Sequence, residues 1–169
     1  MSSENYVGVD NLLQNRMGKV DSDCVPTNGK WVKYNVADIL IGNIRPYLKK
    51  IWLADNIGGT NGDVLVIRSD KTICYSRFLY FVLSSDGFFN YDNSRAKGAK
   101  MPRGNKEAVM QYQFTLPSLA EQERIVSILD RFDALCNDLS IGLPAEIEAR
   151  QKQYEYYIDK LLTFKEKEN

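Results

Sequence analysis

Histidine is absent from this 169-residue sequence. Its absence removes the commonest general base, the commonest zinc ligand and the serine-histidine type of triad together, so enzymatic readings start at a disadvantage. No apolar run reaches the roughly 18 residues needed to cross a bilayer. The opening Met1-Ser2-Ser3-Glu4-Asn5 lacks the basic-then-apolar layout of a secretory signal, which predicts a cytoplasmic protein. Cysteine is scarce: Cys24, Cys74 and Cys136 lie far apart, as reduced structural thiols do, without the paired spacing of a zinc site. There is no Gly-x-x-x-x-Gly-Lys phosphate loop and no dinucleotide glycine pattern opening a helix. A magnesium-dependent nuclease wants an acid before a strand and an acid-x-lysine pair at its end. Asp63 precedes an apolar strand, but Arg68-Ser69-Asp70-Lys71 follows, so the pattern fails. No catalytic residue, metal or cofactor is expected.

Net charge is also lacking, with 22 basic and 22 acidic residues, whereas a nucleic-acid binder is more often basic overall. The balance changes when the chain is divided. Residues 1–117 hold 15 Lys and Arg against 11 Asp and Glu, and residues 118–169 hold seven against 11. The two parts look built for different partners. An apolar content of 44% and a charged content of 26% match an ordinary globular chain, and the length fits one domain with room for an appendage.

Residues 1–117 read as an α+β domain. Strands are expected at 6–9, 32–36, 38–44, 51–54 and 64–68 from β-branched and aromatic content, and the stretch from Gly58 to Asp63 reads as a turn. Ser76 is a candidate cap for a helix through Leu83, a short helix is expected around 105–111, and 113–116 reads as extended. Past Pro117, Ser118-Leu119-Ala120-Glu121 has the form of a capping box and opens a long helix. Ile125, Ile128, Phe132, Leu135 and Leu139 recur at three- and four-residue steps, the seam of a coiled coil. Gly142 and Pro144 interrupt it. A second helix from Ala145 to about Phe164 carries Ile147, Tyr154, Ile158 and Leu161 on one side, with Gln151 as a polar break in the seam. The two helices predict a hairpin that projects from the domain.

Two basic stretches are candidate contacts for DNA. Residues 94–106 carry five basic residues and no acidic one. The small residues Ala96, Gly98, Ala99 and Gly104 let the backbone approach a ligand while Lys97, Lys100 and Arg103 meet phosphates or guanine acceptors. A solvated charged loop is the plainer reading of the same composition. Asn43, Arg45, Tyr47 and Lys49 follow an apolar strand. Pro46 is expected to hold Arg45 extended, and for Tyr47 a place in the core is favoured over stacking on a nucleotide.

These segments, in their order and spacing, resemble a known family. Asp38-Ile39-Leu40-Ile41-Gly42-Asn43-Ile44-Arg45-Pro46-Tyr47-Leu48-Lys49-Lys50-Ile51, the Gly58 turn, Lys97-Gly98-Ala99-Lys100-Met101-Pro102-Arg103-Gly104 and Leu116-Pro117-Ser118-Leu119-Ala120-Glu121-Gln122-Glu123-Arg124-Ile125-Val126 are similar to type I restriction-modification specificity subunits. The resemblance covers nearly the whole chain, and its last segment is the most characteristic. It implies a target-recognition domain at 1–117 that reads a few base pairs of double-stranded DNA. It also implies a helical spacer at 118–169 that docks on methyltransferase and restriction (motor-nuclease) subunits, with no catalysis of its own.

A full-length subunit repeats such a unit twice, whereas one is present here, and residues that often lead the family's domains are missing before Asn5-Tyr6. A half-subunit, a C-terminal fragment and a truncated gene product all fit. Two copies pairing through Ile125, Ile128, Phe132, Leu135, Ile147, Tyr154, Ile158 and Leu161 would read an interrupted palindrome, although packing within one hairpin is expected to account for most of that stripe. The rival readings are an interaction protein that binds partner subunits without reading DNA, and a nuclease.

Overall fold

The computed structural model describes residues 1–138 and 144–162, with side chains described through 134 and again from 148. Its centre is the antiparallel sheet β4-β3-β6, formed by β3 (Ile39–Gly42), β4 (Ile51–Leu53) and β6 (Val64–Ile67). Side chains alternate between the faces of a strand, and these strands are apolar on both. Ile39, Ile41, Ile51, Leu53, Leu65 and Ile67 face a helical layer, whereas Leu40, Trp52, Val64 and Val66 face a second sheet. A strand buried on both sides reads as a continuous apolar run, which is how Ile39-Leu40-Ile41 stands in the sequence.

The second sheet is β1 (Tyr6–Val7), β5 (Gly58–Thr60) and β2 (Val32–Tyr34), with β5 in the middle, parallel to β1 and antiparallel to β2. The five expected strands are all present, slightly shorter than expected. β5 corrects the reading of Gly58 to Asp63 as a turn throughout. Glycine has low strand propensity, but here backbone and ring press on the strand. A Cβ at Gly58 would lie 1.9 Å from the Asn5 carbonyl oxygen and 2.4 Å from the Tyr34 hydroxyl. Gly58→Ala is therefore expected to destabilise the chain by about 1–3 kcal/mol through overpacking. Gly62→Ala, with nothing within 4 Å of the new Cβ, is expected to stay near wild type; thermal melts of the two variants check this.

The helical layer contains α1 (Ser76–Ser84), α2 (Asp86–Arg95), α3 (Lys106–Met110), α4 (Leu119–Asp138) and α5 (Pro144–Leu162). Ser76 is the first residue of α1 and not its cap, since Tyr75 holds that position without a side-chain bond. α2 was not legible in the sequence pattern. Its apolar residues Phe88 and Phe89 stand side by side without helical recurrence, and its start is fixed by Ser85 Oγ, which accepts from the Phe88 N–H at 3.2 Å. Residues 113–116 carry no strand pairing.

The expected projecting hairpin is the main correction. α4 and α5 lie on α1, and α5 also on α2. Ile125, Leu129 and Ile158 are buried in one core with Ile39, Ile41, Phe78, Phe81 and Phe88, while Tyr154 and Leu161 pack at its edge. Ile125 and Ile158 therefore have no surface to offer a second copy. Ile128 and Phe132 are half-buried, and Phe132 stacks on Tyr157 with centroids 5.0 Å apart. The seam positions Leu135 and Ile147 lie outside the described side chains, and Leu139 and Gly142 outside the described residues.

Polar contacts fix how the arm sits. The forward half of the capping box forms, with Glu121 N–H donating to Ser118 Oγ at 3.4 Å, but the Glu121 carboxylate takes two bonds from Arg124 instead of reaching back. Gln122, fully buried, accepts from Tyr75 N–H and donates to the carbonyls of Ile73 and Pro117, each at 2.9 Å. That one amide ties the start of α4 to the start of α1. Arg77 of α1 pairs with Asp130 and Asp133 of α4, and Arg16 reaches the Ser84 carbonyl, Asp86 and Glu155.

Candidate nucleic-acid interface

The strand and loop ends beyond β3 bring together three segments that lie far apart in the sequence. Asn43, directly after β3, donates its N–H to the Asp63 carbonyl and accepts the Gly104 N–H on its own carbonyl, both at 2.9 Å. Arg45 N–H donates to the Pro102 carbonyl at 2.7 Å, and Ile44 forms a bridge with Arg103. Lys97 and Arg103 exchange a pair of backbone bonds at 2.9 Å each, closing residues 97–103 into a loop with Gly98 at φ +101°. Only glycine adopts that conformation without strain. The 97–103 loop, the 61–63 loop and the 43–45 segment thus form one backbone-bonded unit.

Lys97, Lys100 and Arg103 are exposed on this unit, and Arg45 is exposed beside them. Arg103 keeps 58% of its side chain accessible while its Nη1 donates to Asp63 Oδ1 at 2.8 Å. Arg45 departs from the extended conformation expected before proline: its φ of 53° and ψ of 67° are left-handed. A proline disfavours the right-handed helical region for the preceding residue. The bond to Pro102 and a 3-10 turn at Pro46–Leu48 then hold the left-handed alternative. Tyr47 is 52% exposed on that turn, which corrects its expected place in the core. Lys49 does not join the cluster; its ammonium pairs with Asp86 at 2.5 Å, at the start of α2. Asn43 is buried at the hub.

Beside Arg45 opens a cleft of about 550 Å³, lined among others by Ile44, Met101, Asn61, Asp63, Asp10 and Asp21. Lys50 lines it too, and its ammonium donates to the Val9 carbonyl at 2.7 Å. Burial lowers the Lys50 pKa, against the pull of Asp10. Sequence reasoning missed Asp63 and Asn61 as parts of this unit, and it counted Lys106 in the basic stretch without assigning it a contact; the Lys106 Nζ donates to the Gly62 carbonyl at 3.2 Å. Asp63 lies 40 residues from its partner Arg103, and no local pattern signals such a pair. Among the described residues no group of three or more Cys, Asp and Glu is placed to hold a metal, and no helix is long and apolar enough to cross a membrane.

Residues 6–149 match the type I restriction modification DNA specificity domain. This chain belongs to that family. The type I family also supplies its curated relatives. The specificity subunit of Escherichia coli EcoR124I/EcoR124II is 39% identical over 88 residues, covering 52% of this chain and 22% of that protein. The putative specificity subunit S.MpnORF285P of Mycoplasma pneumoniae is 33% identical over 132 residues, covering 77% of this chain and 39% of that protein. The specificity-domain chain thus spans well under half the length of these relatives. Its fold is that of the HsdS subunit from Thermoanaerobacter tengcongensis, at a TM-score of 0.60 and 23% identity over 80% of this chain and 36% of that one. A structure describing complex assembly and conformational transition of the type I R-M system gives a TM-score of 0.63 at 22% identity.

Proposed function

We propose that this specificity-domain chain reads a short DNA sequence with the unit built from residues 43–45, 61–63 and 97–104, and catalyses nothing itself. The observation that carries the reading is the backbone cross-linking of those three segments beneath Arg45, Lys97, Lys100 and Arg103. Charged side chains on a rigid frame both hold phosphates and hold a guanidinium in the geometry a guanine edge demands. Asn43 serves this surface from below, Gly98 shapes it and Tyr47 stands at its rim. Lys49 is the least suited of the candidates, because its charge is already matched by Asp86.

The acidic and amide groups of the adjoining cleft suit a second part of the task. Carboxylates accept from the exocyclic amine of cytosine, and amides pair with adenine. Zero net charge is then no obstacle, since positive charge is concentrated where phosphates would lie. The acidic α4 and α5 face partner proteins: methyltransferase and restriction subunits, and a second copy or second half-subunit. That last contact falls to Ile128, Phe132 and the 58% exposed Tyr156, together with Leu135 and Ile147; Tyr154 and Leu161 contribute from the edge of the core. A cytoplasmic location follows from the same reading.

Selection of bound duplexes from a randomised pool, with and without the methyltransferase partner, tests this. Enrichment of an interrupted palindrome is expected if two copies act as a symmetric dimer, and of a single half-site if one acts alone. No enrichment in either condition would sink sequence reading and leave a partner-docking protein.

A further inference from the structure

The candidate interface rests on polar atoms that lack partners. Asp92 of α2 is fully buried and Asn43 is 5% exposed. Both Asp92 carboxyl oxygens and Asn43 Oδ1 have no hydrogen-bond partner among the described residues. These are three acceptors without a donor, an arrangement that folded proteins rarely tolerate. They converge on Gly104. A Cβ there would lie 2.7 Å from Asn43 Oδ1, 2.8 Å from Asp92 Oδ1 and 3.2 Å from Asp92 Oδ2, so residue 104 has no room for a side chain. Asn43 is also the hub whose backbone bonds Asp63 and Gly104. Whatever holds the Asn43 side chain therefore holds the loops that carry Arg45, Lys97 and Arg103.

An ionised Asp92 would leave all three acceptors opposed. A carboxylic acid supplies one donor, which pairs one Asp92 oxygen with Asn43 Oδ1 and leaves the other as an uncharged carbonyl oxygen, far less costly to bury than a carboxylate. We propose that Asp92 is a proton-dependent positioning residue: in its acid form it donates its O–H to Asn43 Oδ1 beside Gly104, and so locks the 97–104 loop onto the end of β3. The inference rests on reading that loop as the DNA contact only for its functional consequence, which is that DNA binding tightens as Asp92 takes up a proton.

The surrounding charges do not compete for this carboxyl. On α2 itself, Asp86 is held by Lys49 and Arg16, the Tyr91 hydroxyl bonds to the Ala108 carbonyl, and Arg95 lies over the Tyr91 ring. From α1, Arg77 pairs with Asp130 and Asp133 and lies over the Tyr80 ring, and burial raises the Tyr80 pKa. From α5, Glu155 pairs with Arg16 and Asp159 feels Asp86. From α3, Lys106 bonds to the Gly62 carbonyl and Glu107 is exposed. On the 3-10 turn and the loop, Arg45 and Lys97 are exposed and Arg103 pairs with Asp63. Burial alone raises the Asp92 pKa, to about 6. With no histidine in the chain, few other groups titrate nearby.

The test uses the full chain, wild type and Asp92→Asn, whose amide keeps a donor at every pH. Carboxyl carbon NMR on aspartate-labelled protein should show one resonance, lost in the variant, titrating near 6. The Gly104 and Arg45 amide signals should follow it in wild type and stay still in Asp92→Asn. With a DNA duplex at fixed salt, wild-type affinity should fall by up to about tenfold per pH unit above that midpoint, while the variant stays flat. Titration of Asp92 near 4, or Gly104 signals that ignore it, overturns the proposal without reference to DNA. Equal pH profiles in the two proteins overturn the functional coupling. If wild type binds no duplex at any pH, the DNA-reading function falls, and the amide titration still decides whether Asp92 positions the loop.

Discussion

Replacing Leu129 by alanine should cost about 2–5 kcal/mol of folding stability, as truncations of fully buried leucines do. The residue stands in α4, in the part of the sequence whose heptad-like stripe suggests an independent arm. Leu129 is nevertheless 0% exposed and shares its core with Ile39 and Ile41 of β3, Phe78 and Phe81 of α1 and Phe88 of α2. Its loss opens a cavity under the central sheet itself. Both ends of the surrounding contact are pinned, by Gln122 at the start of α4 and by Arg77 on Asp130 and Asp133 further along, so the helix has little freedom to sink into the gap. The expected result is a single cooperative unfolding transition shifted to lower urea, seen alike by circular dichroism and by the fluorescence of Trp31 and Trp52. A transition in which α4 melts first and the sheet later, unshifted, would mean that arm and head fold separately. Tyr156→Ala, on the exposed face of α5, should change stability by less than about 0.5 kcal/mol.

This shared core explains which parts of the fold were legible. Residues 39–41 and 64–67 announce strands because each is apolar on both faces, and the start of α4 is announced by Ser118 and Glu121. The docking of α4 was not legible, because a three-and-four stripe looks the same whether it meets another helix or a sheet. What decides the matter lies elsewhere in the chain, in the apolar face that Phe78, Phe81 and Val82 offer across α1. β5 was hidden for the opposite reason: Gly58 and Gly59 have no side chains to signal a strand, and the smallness of Gly58 is required by Asn5 and Tyr34, each more than twenty residues away.

At the candidate site, the basic composition of 94–106 singled out a loop that the fold bonds to residues 43–45. Yet the α2 helix removes Ser94 and Arg95 from it, and the contacts that give it shape, to Asn43, Asp63 and Arg45, are all long-range. Charge density is written in the sequence. Which charges are already matched, as Lys49 is by Asp86, is written only in the fold.

Arg103 carries the second large expectation. Its backbone is bonded to Lys97 on both sides and bridged to Ile44, and one arm of its guanidinium is fixed by Asp63 Oδ1 at 2.8 Å. A guanidinium held in this way has less rotamer freedom to lose on docking against a planar pair of acceptors, which is what bidentate contact to guanine requires. Arg103→Ala should therefore weaken binding to the selected duplex by about 1–3 kcal/mol and relax preference at one base position. Lys100→Ala should weaken all duplexes about equally and lower the salt slope by about one. Asp63→Asn separates orientation from charge. It removes a carboxylate beside the guanidinium, so affinity for random duplex should rise while discrimination falls. Fluorescence anisotropy over a salt series, with selected and scrambled duplexes, measures all three. An Arg103→Ala loss that is identical for both duplexes and accompanied by a reduced salt slope would make Arg103 a phosphate contact. Unchanged affinity and preference would remove it from the interface and shift sequence reading towards the cleft beside Arg45.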